Sequence, residues 1–162
     1  MPPDMDIALY EPDLPQNTGT MLRLAACMDV TAHVIEPCGF PFSVKAMRRS
    51  LMDYSDHVSL ARHESYEAFD AWRKGAGRRL VLLSTKASLP YDEFAFQGDD
   101  ILMVGRESKG VPDDIAMQAD ARVLIPMKAG VRSLNVAVSL SMVLGEAMRQ
   151  TGGYKPFTKG QS

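Results

Sequence analysis

Residues 101–135 read ILMVGRESKGVPDDIAMQADARVLIPMKAGVRSLN. Twice in this stretch an unbroken apolar run ends at residues that leave the backbone open. ILMV at 101–104 ends at Gly105, and VLI at 123–125 ends in the segment 126–130, which holds Pro126 and Gly130. Continuous aliphatic runs bounded by turn formers mark strands buried on both faces, as in a parallel sheet. The pattern predicts two neighbouring strand ends with exposed backbone, a natural place to hold a small ligand with polar and apolar parts.

The same alternation extends in both directions. Strands are expected at 7–11, 33–36 and 80–84, with a short edge strand at 57–60. Helical spacing is expected at 18–28, 43–52, 64–74, 112–117 and 133–150, with Asn17 or Thr18 capping the first helix and Ser133 the last. Strand alternating with helix predicts an α/β fold, a mostly parallel sheet with helices on both faces. The chain, 1–162, reads as one domain with a polar tail from 151 to 162.

The last helix is apolar nearly all round, with charge only at Glu146 and Arg149. Such a helix must be covered on every side. In a chain of 162 residues a partner subunit is the expected cover, so a homodimer is predicted.

Composition narrows the class. Hydrophobic residues make up 46% and charged residues 23%, which suits a globular domain with a real core. No run approaches the roughly 18 apolar residues of a membrane span, and MPPDMD at the start has no secretory pattern. A cytoplasmic protein without a membrane partner is expected. Cys27 and Cys38 form no disulfide framework, and Cys27 falls in a helical pattern as a small core residue. His33, His57 and His63 are not at metal-ligand spacing, so no metal is expected. A net charge of −2 argues against a general nucleic-acid or DNA binder. Local basic clusters remain at Lys45, Arg48 and Arg49, at Arg78 and Arg79, at Arg106 and Lys109, at Lys128 and Arg132, and at Lys155 and Lys159.

The glycine-rich segment 105–110, GRESKG, is followed by Val111 and Pro112. A phosphate loop needs Lys and Ser or Thr there, and GxGxxG is absent, so neither a nucleoside triphosphate nor a dinucleotide is indicated. The segment PQNTGTMLR, residues 15–23, follows the first strand and places Asn17 and Gly19 at a helix entry, where free N–H groups meet polar ligands. Arg23, on an otherwise apolar segment, either snorkels outward or points into a cleft.

NTGTMLR, LMVGRESKG and IPMKAGVRSLN, taken in this order with IEPCGF and RRSLMDY between the first two, resemble the SPOUT superfamily of RNA methyltransferases. Within it the chain is similar to the small tRNA 2′-O-methyltransferases that act on the wobble nucleotide, and the likeness spans nearly the whole chain. The resemblance implies a C-terminal deep trefoil knot, S-adenosylmethionine as cofactor, tRNA as substrate and an obligate homodimer. By matched position it implies cofactor contacts at Leu83, Gly105, Ile125 and Ser133 and catalytic roles for Arg23, Glu107 and Asn135. Substrate contacts are expected at Asn17, Lys109 and Arg132. Ala87 after Lys86 departs from the glycine expected there. Two other readings stay open: methylation at another tRNA or rRNA position, and a catalytically silent RNA-binding knotted dimer.

Overall fold

The expected alternation of strand and helix is present. In chain order the elements are β1 (Asp6–Tyr10), α1 (Pro15–Met28), β2 (Thr31–Ile35), α2 (Val44–Leu51), β3 (Leu60–His63), α3 (Tyr66–Gly75), β4 (Leu80–Leu83), β5 (Ile101–Val104), α4 (Asp113–Gln118), β6 (Ala121–Val123) and α5 (Val136–Thr151), with 3-10 turns at Met52–His57 and Tyr91–Glu93. This is a computed structural model, and it describes residues 4–131 and 133–156. The six strands form one sheet in the order β3-β2-β1-β5-β4-β6, with all pairs parallel. The chain winds outward from β1 to β3, crosses over to β4, and then inserts β5 between β1 and β4. The strand order therefore reverses between β1 and β5, and connections that diverge from such a point leave a crevice at the carboxyl ends of the strands.

Both faces of the sheet are covered. Ile7, Leu9, Val34, Val81 and Leu102 pack with α1 and α5, while Ala8, Ile35, Leu82 and Met103 pack with Phe69 of α3 and Ile115 of α4. Successive residues point to opposite faces, so two buried faces produce the unbroken apolar runs seen in the sequence.

Several boundaries differ from the sequence reading. The run 123–125 is not the last strand: β6 pairs with β4 over Ala121–Val123. Leu124 leaves that ladder, donating its N–H to the Leu89 carbonyl at 2.9 Å and accepting from the Tyr91 N–H at 2.8 Å. Nor do the two strand ends of the 101–135 stretch adjoin, because β4 lies between β5 and β6. The edge strand falls at Leu60–His63 rather than 57–60, since the chain after α2 runs on as a 3-10 turn through His57. The first helix begins at Pro15, where a missing N–H costs nothing, so Asn17 and Thr18 lie inside its first turn and neither caps it. Thr18 is buried and donates its hydroxyl to the Leu14 carbonyl at 2.9 Å. Ser133 does not cap α5. Asn135 does, its Oδ1 accepting the N–H groups of Ala137 at 2.8 Å and Val138 at 3.3 Å. Cys27 is exposed rather than a core residue, on the outer face of α1 with Gln16, Thr20 and Arg23.

The Arg78–Arg79 cluster is structural, not an open basic patch. Arg78 Nη1 donates to Asp6 Oδ2 at 2.6 Å, and Arg79 Nη2 pairs with Asp100 Oδ2 at 2.7 Å. The same Asp6 oxygen lies 2.8 Å from His33 Nε2, and His33 Nδ1 lies 2.9 Å from His63 Nε2. Burial, with the His33 ring beside it, lowers the His63 pKa. Between that lowered value and the unfolded value near 6.5 the unfolded chain binds more protons, so stability is intact above about pH 6.5 and falls as pH drops below it. The urea midpoint, read by fluorescence of Trp72, whose ring lies 4.7 Å from His33 and 5.7 Å from His63, is expected to fall from pH 8 to pH 5. His63→Gln is expected to flatten that fall. An unchanged slope in the variant would remove His63 as the cause.

Candidate active site

A cleft of about 1070 Å³ opens at the carboxyl ends of β4, β5 and β6. Leu83 at the end of β4, Gly105 after β5, Ile125 beyond β6 and Ser133 before α5 all line it, as do Glu107, Lys109 and Asn135. Three segments well apart in sequence, those after β4, β5 and β6, thus reach one space because the parallel order β5-β4-β6 stacks their strand ends side by side.

Gly105 is required by its own loop. A Cβ there would stand 2.6 Å from the Gly110 carbonyl carbon and 2.9 Å from the Val111 nitrogen. The 105–110 loop folds back on itself, Arg106 and Gly110 exchanging backbone hydrogen bonds of 3.0 and 2.7 Å, with Gly110 at φ 63.

At the rim three polar side chains converge. Because the Asn135 oxygen caps α5, its Nδ2 must face away from the helix, and it donates to Asn17 Oδ1 at 3.1 Å and Glu107 Oε1 at 3.4 Å. Asn17 lies in the first turn of α1, where a small recess shared with Gly105, Glu107 and Val136 adjoins the cleft. The arrangement offers a carboxylate with one oxygen held by an amide, beside a space for a small ligand.

Arg23 is not part of this group. Roughly six residues beyond Asn17 at 3.6 per turn, it sits on a different face of α1 and about 9 Å further along the axis. Its guanidinium lies 4.4 Å from the Tyr54 ring centroid, with Nη2 donating to the Tyr54 hydroxyl at 3.4 Å. Arg132 lies outside the described residues. Lys86 and Lys128 also line the cleft; Lys128 belongs to one of the basic clusters seen in the sequence, and Lys86 to none. Asp13, also passed over, accepts from the backbone N–H groups of Glu107 at 3.1 Å and Ser108 at 3.4 Å and from the Ser108 hydroxyl. No local pattern announces a contact across more than ninety residues.

The cleft thus opens at the carboxyl ends of a doubly wound parallel sheet, with Asn17, Glu107 and Asn135 at its rim. The chain belongs to the SpoU rRNA methylase family, which it matches over residues 4–145. It is 62% identical over 146 residues to the tRNA (cytidine(34)-2′-O)-methyltransferase of Beijerinckia indica, covering 90% of this chain and 91% of that one. A structure described under "Structural insights into the 2-OH methylation of C/U34 on tRNA" superposes with a TM-score of 0.82 at 36% identity, covering 90% of this chain and 95% of that one. An AdoMet-bound rRNA methyltransferase from Sinorhizobium meliloti superposes at 0.80 with 27% identity, covering 92% of this chain and 57% of that one.

Proposed function

We propose that the chain transfers a methyl group from S-adenosylmethionine to the ribose 2′-OH of tRNA nucleotide 34, a cytidine or 5-carboxymethylaminomethyluridine. The observation that carries the reading is the convergence of Asn17, Glu107 and Asn135 on the rim of a cleft that Leu83, Gly105, Ile125 and Ser133 line. The setting is the cytoplasm, and no helix among the described residues is long and apolar enough to cross a membrane.

The cleft residues fit the cofactor. Leu83 and Ile125 offer apolar surface for an adenine ring, and Gly105 forms part of the cleft wall, its own loop packed behind it. When bound, S-adenosylmethionine supplies an electrophilic methyl group and is left as S-adenosylhomocysteine. The protein's part is to position the ribose and take up its proton. Asn135 holds one oxygen of Glu107 and leaves the other to accept the 2′-OH proton. Lys109, and Arg132 from the segment before α5, bind the phosphates of the substrate. A guanidinium is a poor general base, so the role of Arg23 is a clamp on phosphate or on the developing alkoxide.

Arg23 is turned from the cleft of its own chain, so that role runs through a homodimer. Val138 and Met142, one turn apart on α5 and 48% and 39% exposed, support a face of α5 that a second copy covers. Met142→Lys is expected to give a monomer by light scattering at micromolar concentration. Mixing inactive Arg23→Ala and Asn135→Asp chains is expected to recover activity in the hybrid dimers, where one cleft meets an intact Arg23. A hybrid without activity would place Arg23 in its own chain's chemistry. The C-terminal deep trefoil knot belongs to the same reading. Pulling the two ends of a single molecule apart should then leave a contour shortened by a tightened knot, and the full contour length would exclude it.

The function is tested by incubating unmodified tRNA with the protein and cofactor and mapping 2′-O-methyl groups. A methyl at nucleotide 34 is expected. A methyl at another tRNA position, or none, would replace this reading with one of its two alternatives, and the same assay on rRNA separates an rRNA methylase from a silent binder. Affinity for tRNA is expected to fall steeply with salt, as phosphate contacts require.

A further inference from the structure

We infer that Asp13 is a positioning residue for methyl transfer, holding the 105–110 loop so that Glu107 meets Asn135; the inference rests on the function proposed above. Asp13 lies in the connection from β1 to α1, and its contacts go to the connection after β5. Oδ1 accepts the Glu107 N–H at 3.1 Å, and Oδ2 accepts the Ser108 N–H at 3.4 Å and the Ser108 hydroxyl. Three donors on one carboxylate fix both the height and the twist of the backbone from which the Glu107 side chain leaves. Otherwise this loop is closed mainly on itself, through the Arg106–Gly110 pair.

The carboxylate is seated from behind as well. Gly39 donates its N–H to the Pro12 carbonyl at 2.9 Å, and a Cβ at position 39 would stand only 2.7 Å from the Asp13 Cβ. The connection after β2 therefore backs directly onto Asp13. Four residues further on, the first turn of α1 carries Asn17, the other acceptor of the Asn135 amide. One carboxylate thus ties together both segments whose side chains meet Asn135. It remains ionised to do so: burial works to raise its pKa, but the hydrogen bonds from the Ser108 side chain and from the Glu107 and Ser108 backbone hold it below the usual carboxylate range. Asp13 borders the small recess beside Asn17 and Glu107 but does not line the main cleft; it acts through Glu107.

Asp13→Asn keeps the shape but weakens the acceptor and loses the charge. In the full-length protein, single-turnover methyl transfer to tRNA is expected to slow by about 10- to 100-fold in Asp13→Asn, the scale set by a displacement of about 1 Å. In a Glu107→Ala background the same change is expected to cost less than about twofold, because the group being positioned is gone. A purely structural role would multiply the two losses, and that result, or an unslowed Asp13→Asn, would overturn the inference. A second measurement needs no substrate: amide exchange at Glu107 and Ser108 is expected to quicken by about tenfold in Asp13→Asn while the β5 amides hold. Unchanged exchange would show that the clamp is not made in solution. Should Asp13→Asn fail to fold, Ser108→Ala removes one donor and should reproduce both effects on a smaller scale, and its silence in both assays would overturn the inference. A wild-type protein that methylates no tRNA, with exchange still responding to Asp13, would sink the proposed function and leave the clamp standing.

Discussion

Asn135→Asp is expected to leave the fold intact and to slow methyl transfer by about 100- to 1000-fold, the loss typical of one precisely placed donor. The two halves of the Asn135 amide do different jobs. Its oxygen caps α5 by accepting from Ala137 and Val138, and a carboxylate oxygen does this as well, with a charge that suits a helix N-terminus by about 0.3–1 kcal/mol. Its Nδ2 donates to Asn17 Oδ1 and Glu107 Oε1, and an aspartate would set an acceptor against two acceptors, one of them a carboxylate. Thermal unfolding and single-turnover transfer, measured together, separate the roles. Asn135→Ala should lose both, giving up about 1 kcal/mol of capping as well. An Asn135→Asp protein that keeps a third of the wild-type rate would remove the amide from the chemistry.

Gly105→Ala carries the second large effect. The added methyl meets backbone, with the Gly110 carbonyl carbon at 2.6 Å and its Cα at 2.8 Å. Backbone atoms cannot rotate aside as a side chain would. The 105–110 loop must open, straining or breaking the Arg106–Gly110 pair and moving Glu107, at a cost of about 2–3 kcal/mol. Calorimetric titration with S-adenosylmethionine is expected to show affinity down by about 100-fold, since one wall of the cleft moves by a bond length or more. Gly110→Ala is the control: nothing stands within 4 Å of its new Cβ, and only its φ of 63 is unfavourable, for about 1–2 kcal/mol. If the two variants bind cofactor equally, the contact at position 105 is not what shapes the cleft.

Much of the fold was legible because parallel strands buried on both faces leave contiguous apolar runs. ILMV at 101–104 is β5 to the residue, and LVLL is β4. The same signal misplaced β6, since Leu124 and Ile125 continue the apolar run after the chain has left β4 and turned to pair with Leu89 and Tyr91. Edge strand β3, LARH, has little apolar character because only part of it is covered. Helix starts slipped for a related reason: Asn17 and Ser133 have the chemistry of caps, but Pro15 and Asn135 lie where the backbone enters the helix.

The site divides in the same way. Residues named for the cleft share it because each stands at the end of a strand or the start of a helix, and the order of elements is written along the chain. The sequence by itself determined the α/β class, the parallel sheet and the elements whose ends form the cleft, because periodicity and burial are local properties. Tertiary structure decided that β4 separates β5 from β6, that Arg23 points away from the cleft of its own chain, and that Asp13 grips the Glu107 loop. Those are facts of relative placement, created when segments distant along the chain come into contact, and no spacing along the chain encodes them.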